Sequence, residues 1–174
     1  GICSKMEATA TLIIIGNEVL SGRTRDANLQ FIARRLVDLG IRLAEVRVIA
    51  DDDGAIVGAV NQARSAHDFV FTTGGIGPTH DDITADCIAE AFGAAIDIRA
   101  DALAILAEHY AKTGAELNDA RLRMARIPDG AELIDNPVSR APGFTMGNVH
   151  VMAGVPAVFQ AMVETVLATL VGGK

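Results

Sequence analysis

The sequence predicts an α/β protein with three layers, α/β/α, in which helices cover both faces of a mainly parallel β-sheet. Short apolar runs rich in β-branched residues alternate with segments of helical periodicity through the first half of the chain. That alternation favours right-handed βαβ units, whose sheet is buried on both sides. Glycines and acidic residues follow the apolar runs, at the sheet edge where such folds bind ligands.

The first strand and helix are predicted from one apolar run and one periodic segment. The run 10–15 predicts a buried strand that ends in a loop at 16–18. Asp26 is expected to cap a helix that ends at Gly40. The residues that this helix should bury are Leu29, Ile32, Ala33, Leu36 and Leu39. A second strand is predicted over residues 41–50.

A second helix and a third strand complete the pattern. Asp53 is expected to cap the helix, and the strand covers residues 69–72. The apolar positions of the helix are Ile56, Val57, Val60 and Ala63. A glycine-rich loop follows the strand, and the next helix is expected to begin near Thr79.

The second half predicts shorter elements. Helices are expected over residues 99–112 and 117–126, followed by a turn at 127–130. Three short strands should follow, over 131–134, 144–146 and 149–152, the last two joined by a hairpin at Gly147 and Asn148. Pro156 is expected in the first turn of a final helix. Its core stripe is Phe159, Met162, Val163, Val166, Leu167 and Leu170.

Composition limits the classes of function. The 174 residues carry a formal net charge of -7, which excludes electrostatic attraction to nucleic acid. The apolar stretch 151–173 contains proline, glutamine and glutamate, so no membrane span is predicted. Two cysteines, Cys3 and Cys87, favour reduced thiols and a cytoplasmic location. Residues 1–8 are expected to be disordered or vector-derived, and 9–172 to form a single domain.

The loop after the third strand has the composition of an anion site. Gly74, Gly75 and Gly77 lack a Cβ, so the backbone can adopt positive φ and turn N–H groups toward a ligand. A helix beginning near Thr79 would add the positive end of its dipole. The alternative is structural, because Thr79 and Asp82 have the spacing of a capping box.

Acidic residues accompany this loop. Asp81 and Asp82 are adjacent, and two carboxylates beside an anion pocket call for a cation or a proton-transfer role. Asp51 follows the second strand directly, which aims it across the sheet edge. Solvated turn residues are the alternative for this acidic run. The histidines show no paired spacing for zinc, although His80 could contact a phosphate from the glycine loop.

Three stretches together resemble a known family. They are 15–22 continuing to Asp26-Ala27-Asn28, 73–84, and Asn136-Pro137 with 141–144. They are similar to the molybdopterin-binding domain of the MogA and MoaB proteins and of the N-terminal part of the CinA family, with the CinA branch matching best. Two positions depart from the CinA pattern: Ala153 replaces the usual proline, and Ser139-Arg140 replace glycine and threonine. Arg140 is then either a phosphate contact or a surface charge.

The resemblance implies a MogA-like fold and a set of site residues. Asp51 and Asp82 fall at the positions of two functional aspartates, which would be catalytic and would hold a divalent metal, Mg²⁺ above all. The residues implied to bind the ligand are Gly16, Asn17, Glu18, Thr73, Gly74, Gly75, Gly77, Pro78, Thr79, Ser139, Pro142, Gly143, Gly154 and Pro156. The ligand would be molybdopterin or an adenine nucleotide, and the protein a homo-oligomer: a dimer, trimer or hexamer.

The resemblance leaves the activity open. The leading hypothesis is binding of molybdopterin or a related phosphorylated, nucleotide-like ligand, with metal-assisted nucleotide-pyrophosphate chemistry. MogA-like members join an adenylyl group to molybdopterin, whereas CinA-like members resemble a hydrolase of ADP-ribose or related dinucleotides, unrelated to the molybdenum cofactor. A non-catalytic oligomeric binding module is the alternative from a different class.

Overall fold

The computed structural model describes residues 7–172. The strands within this range are β1 (Thr9–Ile15), β2 (Arg42–Ile49), β3 (Phe69–Thr73), β4 (Ile96–Ile98), β5 (Arg126–Pro128), β6 (Glu132–Ile134), β7 (Gly143–Met146) and β8 (Val149–Met152). The helices are α1 (Asn17–Leu20), α2 (Asn28–Asp38), α3 (Asp53–Ala66), α4 (Thr84–Phe92), α5 (Ala100–Thr113), α6 (Asp119–Leu122) and α7 (Pro156–Gly172), and a 3₁₀ turn spans Arg123–Ala125.

Six of these strands form the central sheet, in the order β2-β1-β3-β8-β7-β6. Strand β1 pairs in parallel with β2 and β3, and β3 pairs in parallel with β8. The β7–β8 hairpin and its neighbour β6 are antiparallel. The prediction of a mainly parallel sheet is confirmed, with an antiparallel edge that the hairpin creates.

Alternation along β1 supplies both layers of the core. Leu12 and Ile14 pack with Ile32 of α2 and Phe159 of α7 on one face of the sheet. Ile13 and Ile15, pointing to the other face, belong to the cluster formed with α3, α4 and α5. Since successive side chains of a strand point to opposite sides, the run 10–15, apolar apart from the buried Thr11, requires cover on both faces. The three-layer α/β/α prediction is confirmed.

The ends of several elements differ from the sequence predictions. The expected loop at 16–18 contains the start of α1, and α3 is capped by Asp52, whose Oδ2 accepts a hydrogen bond from Ala55 N at 2.9 Å, and not by Asp53. Helix α4 begins at Thr84, five residues after the predicted start at Thr79. The difference at α3 is a choice between two adjacent aspartates as the cap, whereas α1 and α4 begin after Gly16 and Ile83 with no capping side chain from the described residues.

Two further differences concern burial and pairing. Leu29 is exposed, and Asn28 is the buried residue in the first turn of α2. The segment expected to turn at 127–130 begins with β5, which pairs antiparallel with the unpredicted β4. A three-residue strand has too short a pattern to be recognised in the sequence.

The two ends of the chain bear on the remaining predictions. The prediction for residues 1–8 lies mostly outside the described residues, as does Cys3; Ala8 O accepts a hydrogen bond from Arg42 N at 2.9 Å. The predicted apolar stripe of α7 packs in the core. Arg35 of α2 pairs with Glu164 of α7 at 2.8 Å. Among the described residues, no helix combines the length and apolar character that crossing a membrane requires.

Candidate functional site

A cavity of about 480 Å³ lies where β1 and β3 end and where α2 and α7 begin. This volume falls within the range of small-ligand sites in proteins. Its position beyond the carboxyl ends of parallel strands is the one predicted for ligands in an open α/β sheet.

The glycine loop after β3 forms one wall. Gly74 and Gly75 have φ values of 103° and 78°, in the left-handed region that glycine favours. A Cβ on Gly74 would overlap Ile15 O, and one on Gly75 would overlap Thr84 Oγ1. Gly77 is not in this region, contrary to the sequence prediction, but its Cβ would lie 2.9 Å from Asp82 Oδ2. Contact with β1, α4 and the acidic turn therefore leaves no room for side chains here.

The loop offers unused hydrogen-bond donors. Gly74 N donates to Met152 O at 3.0 Å, which ties the loop to β8. The next three backbone N–H groups, those of Gly75, Ile76 and Gly77, find no acceptor within residues 7–172. All three residues line the cavity. Successive free N–H groups in a turn form a concavity that suits an anion.

Asp82 lies at the cavity, whereas its neighbour Asp81 does not line it. Asp82 Oδ2 accepts hydrogen bonds from Thr79 N at 2.8 Å and from Thr79 Oγ1 at 2.9 Å. Asp82 N in turn donates to Thr79 O at 3.0 Å. The predicted capping box is thus a closed turn that precedes α4, and Asp82 Oδ1 is left without a donor among the described residues.

Asp51 and Asn17 join the ends of β2 and β1 by two reciprocal bonds. Asp51 Oδ2 accepts from Asn17 N, and Asn17 Oδ1 accepts from Asp51 N, both at 3.1 Å. Burial raises the pKa of Asp51, the bond from Asn17 opposes that shift, and the charges of Glu18, Asp82 and Asp81 raise it further. Asp51 therefore senses the charge of Asp82 although it does not line the cavity.

Asn28 is a residue of this site that the sequence analysis quoted in a motif but did not select. Its side chain is buried, and Nδ2 donates to Thr73 Oγ1 and to Gly154 O, both at 3.0 Å. One amide therefore connects α2, β3 and the turn before α7. Because Gly154 O can only accept, the amide orientation is determined, and Oδ1 is a buried acceptor without a partner among the described residues.

The Asn136 turn, residues 136–141, borders the cavity through Asn136, Ser139 and Ala141. Asn136 Nδ2 donates to Ser139 Oγ at 2.7 Å and to Ala141 O at 2.9 Å, and its Oδ1 accepts from the N–H groups of residues 138 and 139. Arg140 has φ of 70°, the single non-glycine residue with positive φ in the described chain, and its Nη1 pairs with Asp135 at 2.7 Å. Of the two predicted roles for Arg140, the paired surface charge matches its position.

The structure brings together most of the predicted site residues. Those that line the cavity are Glu18, Thr73, Gly74, Gly75, Gly77, Pro78, Asp82, Ser139, Gly154 and Pro156. Those that do not line it are Gly16, Asn17, Asp51, Thr79, Pro142 and Gly143. Gly143 instead serves the sheet, because a Cβ there would overlap Val151 O.

The charges at the cavity are mainly negative. Its described wall contains the carboxylates of Glu18, Asp26 and Asp82 and one cationic side chain, Arg25. The remaining wall is largely apolar, with Met124 and Val155 among the residues that the sequence analysis did not select. Nothing in their local pattern distinguishes them from ordinary core or turn positions. An anionic ligand would therefore depend on backbone N–H groups and an added cation.

The side chains present fit a divalent metal only in part. Within residues 7–172, no group of three His, Cys, Asp or Glu side chains is arranged to hold an ion. The remaining hard oxygen donors are the carboxylate of Asp82, which lines the cavity, and that of Asp51, which lies outside it but has its pKa raised by burial and by the charge of Asp82. Mg²⁺ is commonly held by one or two carboxylates together with phosphate oxygens of the substrate and water. The donor set therefore suits an ion that arrives with a phosphorylated ligand.

A family model described as a probable molybdopterin binding domain matches residues 11–172. The chain belongs to this family. A CinA-like protein of Geobacter metallireducens is 37% identical over 164 residues, which cover 92% of this chain and 40% of that protein. The chain thus spans less than half the length of this relative.

Solved structures agree with the family assignment. The CinA protein of Thermoplasma acidophilum superposes with a TM-score of 0.85 at 35% identity, covering 94% of this chain and 98% of that one. The molybdopterin biosynthesis enzyme MoaB of Thermus thermophilus superposes with a TM-score of 0.58 at 20% identity, covering 97% and 98% of the two chains, and at that identity it shows the fold alone. The predicted resemblance to a MogA/MoaB-like domain close to CinA is confirmed.

Proposed function

We propose that this domain binds a phosphorylated, nucleotide-like or pterin ligand in the cavity and hydrolyses a pyrophosphate bond with the help of a divalent metal. The observation that carries the proposal is the run of free N–H groups at Gly75–Gly77 in the same cavity wall as the Asp82 carboxylate. The N–H groups suit a phosphate, and the carboxylate suits the cation that a diphosphate requires.

The charge balance supports a metal over a purely protein-made anion site. A diphosphate near Glu18, Asp26 and Asp82 would meet three like charges and one arginine. Like charges at short range in a partly desolvated cleft oppose binding. Mg²⁺ bound along with the ligand would reverse this balance.

Two carboxylate oxygens are available for the ion. Asp82 Oδ1 and Asp51 Oδ1 have no donor among the described residues, whereas the Oδ2 atom of each accepts backbone N–H bonds. When bound, the metal would neutralise charge that develops on the phosphoryl group and on the leaving oxygen. The loop N–H groups would hold the phosphate, and the Asp82 carboxylate would remain fixed by Thr79.

ADP-ribose serves as the probe because its hydrolysis is readily followed. Water adds to one phosphorus, the bridging P–O bond breaks, and the products are AMP and ribose 5-phosphate. We expect AMP to appear with Mg²⁺ or Co²⁺ and not without metal. Asp82→Asn should lower its rate by about 100-fold or more, because it removes a charge from the metal site.

Asp81→Asn is the matched control for this experiment. It removes the same charge from the adjacent residue, which does not line the cavity. It should retain the wild-type rate within about threefold. Equal losses in the two variants would point to general electrostatics, and no AMP with any metal would remove the hydrolase proposal.

Two other functions remain as distinct proposals. The first is adenylyl transfer to molybdopterin: the family description supports the pterin as the ligand, and the test of the transfer is movement of AMP from ATP to that pterin. A non-catalytic binding module is supported by the Asn17–Asp51 pair, because hydrogen bonds within the protein already occupy part of the proposed metal site. It predicts ligand binding without turnover, unchanged in Asp82→Asn. Its proposed oligomeric state is checked by sedimentation.

A further inference from the structure

The turn that carries Asp82 lies mostly at the surface. Thr79, His80 and Asp81 are exposed and Asp82 is half-buried. The hydrogen bonds within the turn all run between Thr79 and the two aspartates. With so little buried apolar surface, such a turn opens easily unless another element holds it. The position of the Asp82 carboxylate therefore depends on what contacts the turn from outside.

Arg123 makes that contact. Its Nε donates to Thr79 O at 3.0 Å, and its Nη2 donates to Asp82 O at 3.3 Å. One planar guanidinium therefore spans the first and last residues of the turn. Hydrogen bonds from a charged donor are stronger than those between neutral groups.

The backbone segment that carries Arg123 is held by contacts with other elements. Ala125, two residues further along the chain, is fully buried, and Ala125 O accepts a hydrogen bond from Arg99 N at 2.9 Å. Arg126 pairs with Asp86 of α4. Arg123 thus projects from a segment that these contacts hold in place, so its hydrogen bonds can restrain the backbone of the turn.

We propose that Arg123 is a positioning residue for Asp82, holding its backbone so that the carboxylate stays at the cavity wall. The catalytic importance of the Asp82 position rests on the proposed function, whereas the contact of Arg123 with the turn can be tested independently of it. A shift of about 1 Å in a group at a reacting centre can cost about 100-fold in rate.

The direct test is amide exchange in the intact chain, measured by NMR. Arg123→Met keeps the length and apolar stem of the side chain and removes both donors. The amides of Thr79 and Asp82 should exchange about tenfold faster. Arg121→Met is the matched control, because Arg121 is in the same segment but donates to Glu116 O. It should leave both amides unchanged.

The second readout separates positioning from ligand contact. In the ADP-ribose assay, Arg123→Met should lower kcat by about tenfold or more and change KM by less than about twofold. Arg123→Lys should recover part of the rate, because an ammonium can reach one carbonyl at a time. A raised KM with unchanged kcat would overturn the inference and make Arg123 a ligand-binding residue.

Failure of this inference can be told from failure of the proposed function. Unchanged exchange at Thr79 and Asp82 in Arg123→Met overturns the inference whatever the assay gives. Faster exchange with no AMP from the wild-type protein supports the structural role of Arg123 and overturns the hydrolase proposal alone.

Discussion

The glycine loop and the Asn136 turn border the same cavity but are held by opposite means. In the glycine loop, Gly74 and Gly75 fit because side chains are absent: a Cβ on either would overlap a neighbouring element. In the Asn136 turn, one buried side chain makes four hydrogen bonds and holds Arg140 at a positive φ. Steric exclusion tolerates no added atom, whereas a hydrogen-bonded turn tolerates a strained residue at moderate cost.

The largest expected effect comes from adding a methyl group to the glycine loop. Gly75→Ala combines positive φ with overlap on Thr84 Oγ1, and it should lower the free energy of unfolding by about 4 kcal/mol. Gly93→Ala has φ of 66° and no atom within 4 Å of its Cβ, so it should cost about 1 kcal/mol. Chemical denaturation measures both. Equal losses would show that φ, not contact, makes the loop intolerant.

The next effect concerns the side chain that holds the other region. Asn136→Ala should lower the free energy of unfolding by about 3 kcal/mol, because four hydrogen bonds are lost and Ala141 O is left unpaired. Asn136→Asp, measured beside it, keeps the acceptor for residues 138 and 139 but not the donors. It should show an intermediate loss. A loss below about 1 kcal/mol in the alanine variant would contradict the contrast drawn above.

We expect acid to destabilise the protein through His150, which lies in the β7–β8 hairpin. Burial lowers the pKa of His150 to about 4, and its Nδ1 lies 2.8 Å from Thr145 Oγ1. The pKa of His150 in the folded protein lies below the unfolded value near 6.5. The contribution of the neutral, buried His150 to the free energy of unfolding is therefore fully present above pH 6.5 and is lost as pH falls toward 4. Between pH 7 and 4.5, the free energy of unfolding should fall by about 2 kcal/mol more in the wild-type protein than in His150→Gln. Denaturation curves that change equally in both would assign the acid sensitivity to other groups.

The smallest expected effect comes from the backbone strain at Arg140. Arg140→Gly relieves the positive φ, while Arg140→Ala keeps it, and both remove the ion pair with Asp135. The glycine variant should be more stable than the alanine variant by about 1 kcal/mol, read as a difference in thermal midpoint. A glycine variant that is no more stable than the alanine variant would mean that the turn carries no strain.

Local sequence pattern is enough to predict several parts of this protein. Residues 10–15 of β1, apolar apart from Thr11, require cover on both faces, so the three-layer fold follows from one strand and the helices beside it. The hairpin at 147–148 and the start of α7 at Pro156 also follow from local signals, the Gly147-Asn148 pair and the proline itself. Glycine spacing after β3 indicated the loop that lines the cavity.

Which distant polar groups form hydrogen bonds depends on how the whole chain folds. Asp51 is tied to Asn17, 34 residues away, and Asn28 is buried against Gly154, 126 residues away, whereas the bond between Asp82 and Thr79 is local and has the spacing of the predicted capping box. Polar side chains have several possible hydrogen-bond partners of similar energy, so distant backbone chooses among them. Apolar periodicity has no such freedom, because one arrangement alone removes the whole stripe from water.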